Sequence, residues 1–362
     1  MNVAREKSDV LWTREHLVNI VEPALRSPSG DNCQPWIFEV VGRSLVIHHD
    51  EEKGRHAINR QNHASLLALG TLVESIAIAA STQGLTLYAD FPLDDQRGWV
   101  HLQIANVNSS PDGLFDALPN RFTDRRRFLP GPLRAEVRRA LTEEARHFPS
   151  LGLHIGENIS PAFVDYLARC EGVVWRDARY HADLFRWIRF PAAQSPSADG
   201  MPWETLGVRR WEVGLLKACR HFSVQRVMNR LGFLRNARQI FRGQLRSSSA
   251  VYAITVKSTD RRELVAAGRL AMRLWLRLTQ LKHGVQPITL GSLSVYDEAV
   301  GALPVETPDA FRALFREGRA VWASQFRLSA DEMPVWAFRT GLTRGPVGRT
   351  PRRTLGEVFR KS

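Results

Sequence analysis

Two stretches constrain this chain more than any others: Ala64–Gln83 and Asp260–His283. The first is strongly apolar, Ala-rich and too long for a strand, and predicts a buried helix; the second predicts a long apolar helix. Each carries a small-residue pair, Leu69-Gly70 in one and Ala267-Gly268 in the other. The first runs out through Thr82-Gln83 to Gly84-Leu85, the second through Thr279-Gln280 to Gly284-Val285, with a glycine placed to cap the C-terminus. The two spacings differ by two residues, so the repeat is loose, but it implies two related α+β halves that pack together.

The flanking patterns agree. Arg14–Arg26 places Leu17, Ile20, Val21 and Leu25 on one helical face, and the turn-rich run Ser27–Asn32 follows it. Trp36–Val41 and Ser44–His48 read as a hairpin around Gly42-Arg43, with strands expected at Leu85–Ala89 and Trp99–Ala105. Ser109-Ser110-Pro111-Asp112-Gly113 is the best linker, which sets expected halves at 1–110 and 115–362. In the second half, helices are expected at Arg134–Arg146 and Pro161–Arg179, and extended chain at Leu151–Ile155, Tyr252–Val256 and Pro334–Phe338. The excess length, about 191–250, predicts a helical insert.

At 362 residues, 44% hydrophobic and 24% charged, the chain has globular composition and material for two cores or one large fused one. No run is expected to reach the roughly 18 apolar residues of a membrane span. Met1–Lys7 is polar with no apolar signal core behind it. Cys33, Cys170 and Cys219 show neither pairing nor zinc spacing, so the expectation is a reducing cytoplasm with no disulfide framework and no metal. His48, His49, His56 and His63 read as solvated histidines without ligand geometry. The net charge of +13 raises nucleic acid or an anionic membrane as partners. It gathers at Arg121–Arg127, Arg209–Arg246 and Arg344–Lys361, and an Arg-rich solvated surface is the plain alternative.

Two strings carry chemistry directly. Ser27-Pro28-Ser29-Gly30-Asp31-Asn32-Cys33-Gln34-Pro35-Trp36 puts small residues between a helix and a strand, where backbone N–H groups can approach a planar ligand. Its Ser, Asn and Gln supply neutral donors and acceptors for the polar edge of a heterocycle; an Asx turn leading into a hairpin is the competing reading. Arg121-Phe122-Thr123-Asp124-Arg125 places two arginines around a hydroxyl, the make-up of a phosphate clamp, against a plain basic turn.

The first string resembles the P-S-x-x-N-x-Q-P-W segment of the nitroreductase family, and the second its R-R-S-x-R segment, with Phe122 and Thr123 substituted. Arg339-Thr340-Gly341-Leu342 followed by Thr350-Pro351-Arg352-Arg353-Thr354-Leu355 is similar to the family's C-terminal strand and S-R-x-P-L element. Gln286-Pro287-Ile288-Thr289-Leu290-Gly291 lies where the family has a loop whose backbone meets flavin N5. The resemblance implies FMN, held by Ser27, Ser29, Asn32, Gln34, Arg121, Thr123, Arg125, Thr289, Leu290, Arg352 and Arg353. It implies an α+β nitroreductase-like fold arranged as an intramolecular pseudo-dimer, with the helical insert in its second half. Met1–Thr13 holds no Arg-x-Ser/Thr-x-Arg, and His147-Phe148-Pro149-Ser150-Leu151 lacks the Asn and the Gln-Pro-Trp. Each half thus keeps what the other lacks, which implies one complete site per monomeric chain, as in the Acg-type or MoeY-like branch.

The implied activity is two-electron transfer from NAD(P)H, the electron donor, through FMN to a small electron-poor acceptor of nitroaromatic or quinone type. No catalytic side chain is expected, because the flavin carries the chemistry. A flavin-sequestering protein with an occluded site is the rival. Asp199-Gly200-Met201-Pro202 is a candidate lid, and Trp211–Leu245 is basic and amphipathic. For that stretch a packed cover over the site ranks first, membrane-surface contact second and nucleic acid third.

Overall fold

A computed structural model describes residues 10–59, 61–190, 198–346 and 348–360. The expected polar start Met1–Lys7 and the first residues of the insert, 191–197, lie outside them.

The first half forms a sheet from β1 (Trp36–Val41), β2 (Ser44–His49), β3 (Leu85–Asp90) and β4 (Val100–Val107), in the order β1-β2-β4-β3. The second forms one from β5 (Gly152–Gly156), β6 (Ala250–Val256), β7 (His283–Pro287) and β8 (Met333–Leu342), in the order β5-β6-β8-β7. All pairings in both are antiparallel, so the two sheets have one topology, strand for strand. The chain has an α+β fold built from two related halves. What separates them is the connections. Val41 pairs with Ser44 across the two-residue turn at Gly42, whose φ of 58° suits glycine, whereas β5 reaches β6 only through residues 157–249, whose described part is mainly helical.

The two long helices, α1 (His63–Thr82) and α2 (Arg261–Gln280), cross where the sequence repeats. A Cβ on Gly70 would sit 2.1 Å from the Val265 carbonyl oxygen, and one on Gly268 2.1 Å from that of Leu67. Glycine at both positions lets backbone meet backbone, so the halves share one continuous core. Beside the crossing, Arg273 bonds Glu74 at 2.9 Å, Asp112 at 2.8 Å and Glu144 at 2.6 Å, while Arg269 reaches Glu74 at 2.8 Å. Glu74 and Glu144 are both buried, so this network also ties the halves together.

Four expectations need correction. Gly84 caps α1 with a φ of 71°, but after α2 the left-handed residue is Lys282, with a φ of 61°. Gly284 instead lies in β7, where a Cβ would meet the Phe128 ring at 2.7 Å. The region Pro161–Arg179 is not one helix: Pro161–Glu171 ends in a tight turn at Gly172–Trp175, and Ala178–Trp187 restarts behind the Asp177 cap. His63–Thr82 is long and apolar enough to cross a membrane, contrary to the sequence reading, but 89% of its apolar window is buried inside the fold. The histidines are not solvated either. His48 accompanies Glu39 at 2.9 Å, His49 stacks on Trp99, His56 stacks on Trp187, and His63 meets Asp297 at 2.6 Å between the halves. Each polar ring gains a partner or a flat neighbour that offsets its burial.

Candidate functional site

Pro28 follows the end of the N-terminal helical stretch and stops it, leaving the loop Ser27–Pro35 to cross between halves. The loop is bent by left-handed backbone at Asp31, Asn32 and Gln34, with φ of 48°, 59° and 52°. Ser29 Oγ steadies it by accepting the Gln34 N–H at 2.9 Å. From the second half, Arg121–Arg126 docks on the edge of β7, where the Asp124 N–H donates to the Val285 carbonyl at 2.9 Å. The C-terminal segment then returns to the first half: the Arg360 N–H donates to Phe38 of β1 at 2.9 Å, and the Phe359 and Phe38 rings stack.

These three segments enclose a cleft of about 610 Å³, counted to its open mouth. Of the eleven residues predicted from sequence, Ser29, Asn32, Arg121, Thr123, Arg125 and Arg352 line it. The first two come from one half and the other four from the other. Arg26, Asp31, Met201, Thr205, Arg349 and Thr350 are among the other residues that line it. Asp31 and Thr350 fall inside the strings read from the sequence and Met201 inside the candidate lid, whereas Arg26, Thr205 and Arg349 carried no such signal.

The other five predicted residues stand outside the lining. Ser27 is fully buried and bonds Ala24 and Ser75 within the first half. Gln34 accepts the Arg353 N–H at 2.9 Å and donates to Ala198 at 2.9 Å, so it clasps the loop to the tail and the insert. Arg353 donates to the Gln34 carbonyl at 3.2 Å and approaches Asp50 at 3.7 Å. Thr289 and Leu290 open a helix, Thr289–Ala299, and Thr289 Oγ1 accepts the Trp336 N–H at 3.2 Å. As first-turn residues they keep backbone N–H groups that the helix does not use.

The electrostatics of the cleft are one-sided. Arg121 is 8% exposed, donates to the Arg26 carbonyl at 2.9 Å and lies on the Trp275 ring at 4.5 Å, but its Nε and Nη1 have no partner. Half-buried Arg352 donates to the same carbonyl at 3.3 Å, to Pro351 at 2.9 Å, and to Thr350 through Oγ1 at 2.5 Å and the carbonyl at 3.3 Å, and only its Nε is unpartnered. Among the described residues neither has an acidic partner. Burial, with each other's and Arg26's charge, pulls Arg121 well below its ordinary range, and burial with Arg26 brings Arg352 down to about 9. Orphaned buried guanidinium groups are costly unless an anion completes them. With Thr123 and Thr350 beside them, the donor set fits a phosphate, and the unpartnered Asn32 Oδ1 adds an acceptor for a ring N–H.

Arg339 is the opposite case. It is fully buried, yet bonds Gln286 at 2.6 Å and the carbonyls of Arg126 at 2.7 Å, Asp124 at 3.2 Å and Gln244 at 3.2 Å, with Phe128 beneath it at 4.3 Å. It shapes the 121–126 loop from behind.

The roof comes from 198–205, which includes the candidate lid Asp199–Pro202, and not from the Trp211–Leu245 cover that ranked first. Gly200 and Asn32 exchange two bonds, Gly200 N–H to Asn32 O at 3.2 Å and Asn32 Nδ2 to Gly200 O at 2.9 Å. Arg125 donates to Thr205 at 3.0 Å and contacts Met201 Sδ at 3.3 Å, while Lys53 and Arg189 hold Asp199 at 2.7 and 2.6 Å. The helices that follow bury Leu216, Phe241 and Leu245 against the second half's own helices and contribute no lining residue, because those helices already present an apolar face to them.

Over 97% of its length the chain aligns, at 23% identity, with 97% of the "Putative NAD(P)H nitroreductase acg" of Mycobacterium tuberculosis, in two strains. Along nearly its whole length the chain is similar to an Acg-type nitroreductase. No family model matches it. Among solved structures, a Bacteroides fragilis nitroreductase with bound FMN overlays 69% of this chain with all of its own, at 9% identity and a TM-score of 0.39. The nitroreductase NfnB of Mycobacterium smegmatis in complex with NADPH overlays 67% with 94% of its own, at 16% identity and a TM-score of 0.34.

Proposed function

We propose that this chain binds one FMN between its halves and uses it to carry two electrons from NAD(P)H to a small acceptor of nitroaromatic or quinone type. The observation that carries the reading is a pair of arginines, buried Arg121 and half-buried Arg352, each with an unused N–H and no acid among the described residues, in a cleft whose other wall is the Ser29–Asn32 loop. Arg121, Arg352 and Thr123 would hold the phosphate, and Asn32 and Ser29 the polar edge of the ring. FMN supplies hydride acceptance and donation when bound. The chain's own part is to fix the phosphate, orient the ring and, through 198–205, exclude water. A monomer suffices, because both walls belong to one chain.

Flavin sequestration is the second reading, favoured by the fastening of 198–205 onto Asn32, Gln34 and Arg125. Anaerobic addition of NADH or NADPH to the FMN-loaded protein separates the two. Bleaching of the flavin absorbance, with recovery on adding a quinone, is expected of the oxidoreductase. A bound flavin that stays oxidised with both donors would favour storage.

A further inference from the structure

The insert leaves a surface that the cleft does not explain. Between Arg209 and Arg246 the chain holds ten basic residues and one acid, Glu212, a net of +9 in a protein whose total is +13. Eight of the ten, Arg209, Arg210, Lys217, Arg220, Arg226, Arg230, Arg235 and Arg246, are exposed. Among the described residues only Arg242 of this set is ion-paired, to Asp165. Interleaved with these charges are large apolar side chains in water: Trp211 at 71% exposure, Leu231 at 74% and Val227 at 52%, with Leu215, Val224 and Ile240 also exposed. The helices Val213–Ala218, Phe222–Arg230 and Phe233–Arg246 turn Leu216, Gln225, Phe241 and Leu245 inward, so the basic and apolar residues together make their outward faces.

We propose that these outward faces dock the protein on an anionic bilayer surface. The cations match lipid phosphates, and the aliphatic side chains and Trp211 fit the headgroup boundary, where such residues lose contact with water. Nucleic acid would use the charge but gains little from Val, Leu and Ile, which cannot stack on bases. A second copy of the same face would meet its own +9. The segment follows directly on Met201 and Thr205, so the docking face continues in sequence from a wall of the cleft.

The test is co-sedimentation of the full chain with phosphatidylcholine vesicles and with vesicles of equal phosphatidylcholine and phosphatidylglycerol, at low and high salt. Binding is expected only with phosphatidylglycerol and weakens with salt. Arg226→Ala with Arg230→Ala lowers partitioning roughly fivefold per residue. Trp211→Ser with Leu231→Ser lowers it roughly tenfold or more while keeping the salt dependence. Thermal melting checks that these surface variants remain folded. Failure to sediment with phosphatidylglycerol overturns the proposal. So does indifference to the Trp211 and Leu231 pair, tighter binding to a duplex oligonucleotide, or dimerisation that this pair abolishes.

Discussion

Arg339 and Arg121 are both buried, the first bonded to the 121–126 loop and the second its opening residue. Arg339 spends its guanidinium on three main-chain carbonyls and Gln286, whereas Arg121 has one carbonyl, a Trp275 ring and two nitrogens without partners. A satisfied cation builds the fold. An unsatisfied one, next to Arg26 and Arg352, is a standing cost that only an anionic ligand offsets. Counting donors against acceptors thus separates scaffold from site where residue type does not.

The largest effect should fall on the scaffold side. Arg339→Ala strands the carbonyls of Asp124, Arg126 and Gln244 and leaves a void over Phe128, so it is expected to lower unfolding free energy by about 3–5 kcal/mol. Chemical denaturation of the apoprotein reads this. If Arg339→Ala melted like wild type, the distinction between the two arginines would be lost.

Next come Arg121→Ala and Arg352→Ala: the first should change apoprotein stability by less than about 1 kcal/mol, because it removes a desolvated charge with one hydrogen bond, whereas the second also gives up bonds to Arg26, Thr350 and Pro351. The same variants should weaken FMN by about 1.5–3 kcal/mol, roughly tenfold to a hundredfold, with riboflavin far less affected. Calorimetric titration of both flavins checks this, and equal losses for the two would detach these arginines from phosphate.

The smallest effect concerns the acids that face Arg125. Burial pushes the Glu171 carboxyl up to about 7, with Arg125 opposing and Asp31 adding; burial also raises Asp31, against His56 and Arg125. Folded Glu171 keeps its proton while the unfolded chain releases it near the ordinary value of 4.5. Stability from this group is therefore full below about 4.5 and declines as pH rises through about 7. Glu171→Gln should flatten that part of the stability profile. An unchanged slope in melts across this window would place Glu171 in water.

Much of this was legible in the sequence. Helix length and apolar content located α1 and α2, and the shared Gly70 and Gly268 marked a repeat; that the helices cross at these glycines came only from the structure, where close approach admits only the smallest residue. The Ser29–Asn32 and Arg121–Arg125 strings could be read as one site because their chemistry is local and side-chain based. Gln34 and Arg353 could not be told from ligand residues: their types suit a cofactor, and only the tail's return across β1 shows that they bond each other. Arg339 could be placed only in a C-terminal strand and given no role, since its partners are mostly carbonyls, which leave no mark in sequence. The histidines misled in the other direction, a polar residue type in a polar string proving to be buried once the sheets packed.

The central claim is that one cleft, walled by both halves, is completed by a single phosphate-bearing flavin. Titrating the apoprotein with FMN and with riboflavin tests it most directly. The account predicts one FMN per chain, riboflavin at least tenfold weaker, and competition of inorganic phosphate with FMN. Two FMN per chain, or equal affinity for the two flavins with phosphate inert, would contradict it.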